Sequence, residues 1–228
     1  MQPHFVTCLT CQRNALFWNM KILEACVDSL SQALKAQSLG AHRIELCSQL
    51  DLDGLSPSRE MIESALAQLD IPVKVMIRPR AGDFIYSEKD LQVMEEEIEF
   101  CKKTGVDEIV LGASLPGGEL DIKTIRRLAK VADPMTITIH KAIDLCPDPL
   151  AELEKLRPIT NVTHILSSGK KPTALEGAPL LREMIEVAGD RFTIIAAGKV
   201  TRENLEKVHL AIGTSEYHGK QIAGNLDP

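Results

Sequence analysis

Two glutamate–x–cysteine pairs occur early in the 228-residue chain, Glu24-Ala25-Cys26 and Glu45-Leu46-Cys47. Each lies in a short apolar run that reads as a β-strand, residues 21–26 and 42–47, and strand residues two apart share a face. On parallel neighbours about 4.8 Å apart the two thiols would come within reach of one ion. Thiolates select soft or borderline cations such as Cu(I) or Zn2+ over hard ones. Met76 in the next strand would add a thioether. The other reading is that each cysteine is a small buried apolar side chain, as free cysteines commonly are. Spacing alone leaves both readings open.

A second group of residues suggests anion binding and proton transfer. Arg78-Pro79-Arg80 ends the third strand and precedes a loop containing Gly82, Asp83, Phe84 and Tyr86. Two guanidiniums there could clamp an anion, with the loop as a lid. Alternatively the arginines pair with Glu24 and Glu45. His140 stands at the tip of the fifth strand with Asp144 four residues on, the composition of a general acid or base and its orienter. Glu45 is a second candidate to move a proton, and a hydrogen-bonded wall residue is the plain alternative for His140. Ser168-Gly169, Gly198-Lys199 and His218-Gly219 follow the last three strands. They could offer backbone N–H groups to an anion, with Glu24, Lys199 and His218 at its edge, or simply form tight turns. Cys8-Leu-Thr-Cys11 is a lone CxxC without a partner motif and is weak evidence for a zinc or redox site.

These residues must be positioned by the elements around them. Eight β-branched runs, residues 21–26, 42–47, 73–78, 108–112, 135–140, 163–168, 192–197 and 215–218, recur every 20 to 35 residues with amphipathic segments between them. Helix starts are signalled by Ser29, Ser56-Pro57, Ser87 with Asp90, Asp148-Pro149, and Thr201 with Asn204. Gly40, Gly105, Gly189 and Gly213 supply the stops. Eight repeats predict a single parallel (β/α)8 TIM barrel over residues 20–228, with strand-end residues as the chemistry. The short stretch after the eighth strand predicts a short or missing final helix and a seam that a second copy could cover, hence a homo-oligomer. Residues 1–19, with one charge and no period, read as a flexible appendage.

Composition narrows the function classes. A net charge of −6, from 26 basic and 32 acidic side chains, argues against a nucleic-acid partner. A hydrophobic fraction of 44% argues against disorder, and no run approaches the roughly 20 apolar residues that cross a bilayer.

Five stretches together resemble the CutC family, named for copper homeostasis: Leu23–Cys26, Arg43–Cys47, Ile77–Phe84 with Tyr86-Ser87, Thr138–Asp144 and Leu166–Gly169. The resemblance implies a cytoplasmic, oligomeric TIM barrel that handles copper, with the metal at the cysteines matching Cys26 and Cys47. Lys141, Ile143, Ala81 and Lys199 depart from the family pattern of Arg, Phe, Gly and Gly, and a lysine lacks the bidentate fork of an arginine. Two functions follow. One is copper-ion binding through the strand-end cysteines. The other is an enzyme on a small phosphate- or carboxylate-bearing metabolite, with Arg78, Arg80, Glu24, Lys199 and His218 binding it, His140 or Glu45 moving a proton and Asp144 orienting the base.

Overall fold

Eight parallel strands close on themselves in chain order, β1 pairing with both β2 and β8. In the structure, a computed structural model that describes residues 21–226, they are β1 (Ile22–Val27), β2 (Arg43–Leu46), β3 (Val73–Met76), β4 (Glu108–Leu111), β5 (Thr136–Ile139), β6 (Val162–Ser167), β7 (Thr193–Ala196) and β8 (Glu216–Gly219). Seven helices alternate with them: α1 (Leu30–Ser38), α2 (Arg59–Gln68), α3 (Glu88–Thr104), α4 (Ile122–Ala132), α5 (Pro149–Leu156), α6 (Ala178–Ala188) and α7 (Leu205–Ile212). This is the expected TIM barrel. The appendage of residues 1–19, with Cys8 and Cys11, lies outside the described residues.

Period-two alternation sorts each strand between two layers. Outward side chains such as Ala25, Ile44, Val75, Ile109, Ile137 and Ile165 join the helices in one large apolar layer. Inward positions are polar, broken by two small apolar clusters: Cys26, Cys47, Met76 and Val110 on one side, and Leu166, Ile195 and Ala197 on the other. The barrel is therefore held from outside, which leaves its interior free to carry charge. Cys101 and Cys146 are buried among the outer apolar residues, where two cysteines with a packing role belong.

Local capping chemistry sets the helix starts. Ser29 accepts a hydrogen bond from Gln32 N, Ser87 and Asp90 form a reciprocal capping box, and Asp148 caps α5 with Pro149 at its first position. Two expected starts shift. Ser58, not Ser56, caps α2 by accepting from Met61 N, because Ser56 is engaged elsewhere: its hydroxyl accepts from Arg78 N and donates to Glu97. Asn204 reaches back to accept from Thr201 N, so that pair makes a turn and α7 begins only at Leu205.

Among the described residues no helix follows β8. The segment from Lys220 runs past Thr201 and Arg202, which bond to Gln221 and Ala223, and Gly224 lies against Leu39 beyond α1. Ile222, Ala223 and Leu226 are buried along it. The cover expected from a second copy is thus supplied in part by the chain itself.

Candidate functional site

A closed ring of alternating charge crosses the barrel interior. Arg43 pairs with Glu24 at 2.6 Å, Glu24 with Lys74 at 3.2 Å, and Lys74 with Glu108 at 2.7 Å. His164 lies 3.2 Å from Glu108 and 3.5 Å from Glu216, and Glu216 returns to Arg43. Lys74 and Glu24 are fully buried, and Thr138 accepts from Lys74 Nζ while donating to Glu108. Burial alone would disfavour these charges, yet the opposed partners win. Glu108 is held near 2 by His164 and Lys74, and Glu216 is lowered by His164 and Arg43. His164, despite burial, is raised by the two glutamates.

Two residues further along β1, β2, β3, β6 and β8 stand Cys26, Glu45, Met76, Leu166 and His218. They line a cavity of about 1140 Å3 at the C-terminal ends of the strands. These five form its floor, and the ring lies one layer of side chains beneath them. No sequence signal singled out Arg43, Lys74, Glu108, His164 or Glu216. Isolated charges near strand starts would have hinted at them, but only closure of the barrel shows that the signs alternate.

The thiols meet on this floor. Cys26 is level with Glu45 rather than with Cys47, since β1 and β2 pair Cys26 with Glu45. The sulfurs still approach to 3.9 Å, and both contact Glu45 Oε1, at 3.6 Å from Cys26 and 3.4 Å from Cys47. His218 Nδ1 lies 2.8 Å from Glu24 and 3.7 Å from Glu45, because closure sets β8 against β1 with Glu24 opposite His218. Cys26, Glu45 and His218 each offer a ligand atom within 4.8 Å of the others. The sequence placed Glu45 and His218 only in a catalytic or anion-binding role, because β8 meets β1 only through closure.

Protons are unevenly shared in this cluster. The hydrogen bond from Cys47 overcomes burial and draws Cys26 down to about 5, with His218 helping. The same bond, with burial, pushes Cys47 well up. Burial lifts the Glu45 carboxyl to about 8. His218 is raised despite burial, because Glu45, Cys26 and Glu24 surround it. The cluster therefore draws negative charge toward Cys26 and positive charge toward His218, and disfavours it on Cys47.

The remaining candidates are placed differently from the sequence expectation. Arg78 and Arg80 do not form a clamp. Arg78 Nη1 donates to the carbonyls of Leu52, Asp53 and Gly54 and its Nη2 to Gly82, tying two loops together. Arg80 turns outward to Asp83 and Asp90. Neither pairs with Glu24 or Glu45, whose cationic neighbours are Arg43, Lys74 and His218. Asp144 does not orient His140. Its carboxylate accepts from Ser167 Oγ at 2.5 Å, Ser168 N and Oγ at 2.9 Å, and Lys170 N at 3.2 Å. The strand-six backbone donors expected to greet an anion are thus already filled from within the chain. His140 instead accepts at Nδ1 from Ala142 N, and Lys199 stands exposed at the cavity edge with φ 53°.

Comparison with known proteins follows this geometry. The chain is 39% identical over 197 residues to the human copper homeostasis protein cutC homolog, covering 86% of this chain and 72% of that protein. It is 38% identical over 199 residues to the family protein CutC of Glaesserella parasuis, covering 87% and 81% of the two chains. The crystal structure of a CutC protein from Streptococcus agalactiae superposes with a TM-score of 0.84 at 30% identity, over 89% of this chain and all of that one. The sequence profile of the CutC family matches residues 21–223, and the chain belongs to that family.

Proposed function

We propose that this protein binds copper as Cu(I), its cargo, between Cys26 and Cys47, in keeping with the copper homeostasis named for its relatives. The observation that carries this reading is the pair of sulfurs 3.9 Å apart, Cys26 lining an open cavity and Cys47 buried directly behind it. With metal–thiolate bonds of about 2.3 Å, two sulfurs at that distance can bridge one ion with little strand movement. The donor set fits a soft cation. The hydrogen bond from Cys47 draws Cys26 toward its thiolate form, Met76 shares one apolar cluster with both cysteines, and the Cys47 thiol would give up its proton on binding. Glu45 Oε1 accepts the Cys47 thiol's hydrogen bond at 3.4 Å, and His218 supplies positive charge beside Cys26.

The surroundings suit a reducing, cytoplasmic setting, where such thiols stay free. No helix among the described residues is long and apolar enough to cross a membrane.

Competition between the protein and a Cu(I) chelator is the test. The double variant Cys26→Ser with Cys47→Ser should lose at least about 100-fold in affinity, and His218→Gln about 10–100-fold. Wild-type affinity in the double variant would remove copper from this site. A parallel titration in which Zn2+ bound more tightly than Cu(I) would reassign it to a borderline cation.

A further inference from the structure

Among the described residues, six buried side-chain polar atoms have no hydrogen-bond partner. Three belong to residues lining the cavity: Glu45 Oε2, Arg78 Nε and His140 Nε2. Glu45 Oε2 has His218 within 3.7 Å, but the other two have nothing comparable. Both are donors. His140 Nδ1 accepts from Ala142 N at 3.1 Å, and burial together with the Arg78 charge keeps the ring neutral, at about 3. Its single proton is therefore on Nε2. An arginine Nε always carries hydrogen. Folded proteins rarely leave such groups unpaired, and each one calls for a partner such as a water, an ion or a ligand.

Phe84 covers this pair. Its ring centroid lies 4.4 Å from that of His140, and the Arg78 guanidinium sits 4.9 Å from the Phe84 ring. The backbone around it is fixed, with Phe84 O accepting from Ser114 N and Gly82 O accepting from Arg78. Phe84 is half-buried and lines the cavity together with Arg78 and His140.

We infer that Arg78 and His140 form, beneath Phe84, a subsite for the carboxylate of a small organic acid that enters the same cavity as the thiols. A carboxylate suits two donors, one charged and one neutral. A phosphate dianion would need more. The backbone donors in the turn after strand six are taken here by Asp144, and Arg80 faces away. The subsite is independent of copper, since it uses none of the proposed thiol ligands.

The probe is malonate, with inorganic phosphate as the contrast, added at matched ionic strength to reduced, metal-free protein. Calorimetry should show saturable malonate binding, and the Nε2 resonance of His140 in 15N-imidazole spectra should move as the site fills. His140→Phe should weaken malonate at least 10-fold, and Phe84→Ala should bind it at least as tightly as wild type. The double variant Cys26→Ser with Cys47→Ser should bind malonate as wild type does, so failure of the copper reading and failure of this one are distinguishable. An unmoved His140 resonance in the wild-type protein would sink the proposal without any variant. So would equal affinity in His140→Phe, or phosphate binding as tightly as malonate.

Discussion

Asp144 acts as a built-in anion. Its carboxylate gathers four donors from the turn after β6, and Lys170 reinforces that turn by donating to the carbonyls of Cys146 and Pro147. Removing the carboxylate leaves partly buried N–H and O–H groups unpaired, a loss of about 2–3 kcal/mol. Asp144→Ala should therefore melt roughly 5–10 °C below wild type. Added acetate or phosphate should restore part of the difference while leaving wild type unchanged. A variant that melts with wild type and ignores anions would show that the turn holds itself. The role was not legible in the sequence. Four residues separate His140 from Asp144, which suggested a local pair, but the tight turn over Lys141–Leu145 carries Asp144 across to β6. Its partners lie more than 20 positions away, where residue spacing gives no guidance.

At the scale of elements, the strand-then-helix rhythm was legible because β-branched runs and capping residues are local signals. Ser29, Ser87 and Asp148 do what their type dictates. Ser56 does not, because the competing demand comes from β3 and α3 through Arg78 and Glu97. The end of β4 shows the same dependence on a distant neighbour. A Cβ built on Gly112 would lie 2.5 Å from the His140 ring, so only glycine lets that imidazole lie against the strand. Gly112→Ala should cost about 1–3 kcal/mol through overpacking and displace His140. Denaturant unfolding reads the first effect and the His140 imidazole resonances read the second. An alanine variant unchanged in both would mean that the ring has room to move. The two E-x-C pairs were correctly placed on neighbouring parallel strands from sequence alone, although the stagger that sets Cys26 beside Glu45 had to come from the barrel.

For the whole molecule, the ring of charges links stability to pH from both sides. Glu108 titrates near 2 instead of 4.5, so its contribution is complete above about pH 4.5 and is lost as pH falls toward 2. At about 1.4 kcal/mol per pH unit, that contribution is on the order of 3 kcal/mol, shared with its partners. His164 is raised above 6.5, so its contribution is complete below that pH and is lost as pH climbs through the raised value. Stability from the ring should therefore peak between about pH 4.5 and 6.5. Urea midpoints across pH 3–9 should show His164→Gln flattening the alkaline limb and Glu108→Gln flattening the acid limb. Parallel profiles for His164→Gln and wild type from pH 6 to 9 would mean that the histidine is not part of the circuit.

The same ring gives the molecule a direction. Among the described residues, a barrel interior filled below by interlocked charged side chains is a cul-de-sac, a vessel rather than a conduit. A ligand in the cavity would leave by the route it came, past Phe84 and Lys199. If copper binds as proposed, its departure is a hand-over, in which an incoming donor reaches down the mouth and takes the ion before the sulfurs let go. Its speed is set by how much acceptor is waiting outside.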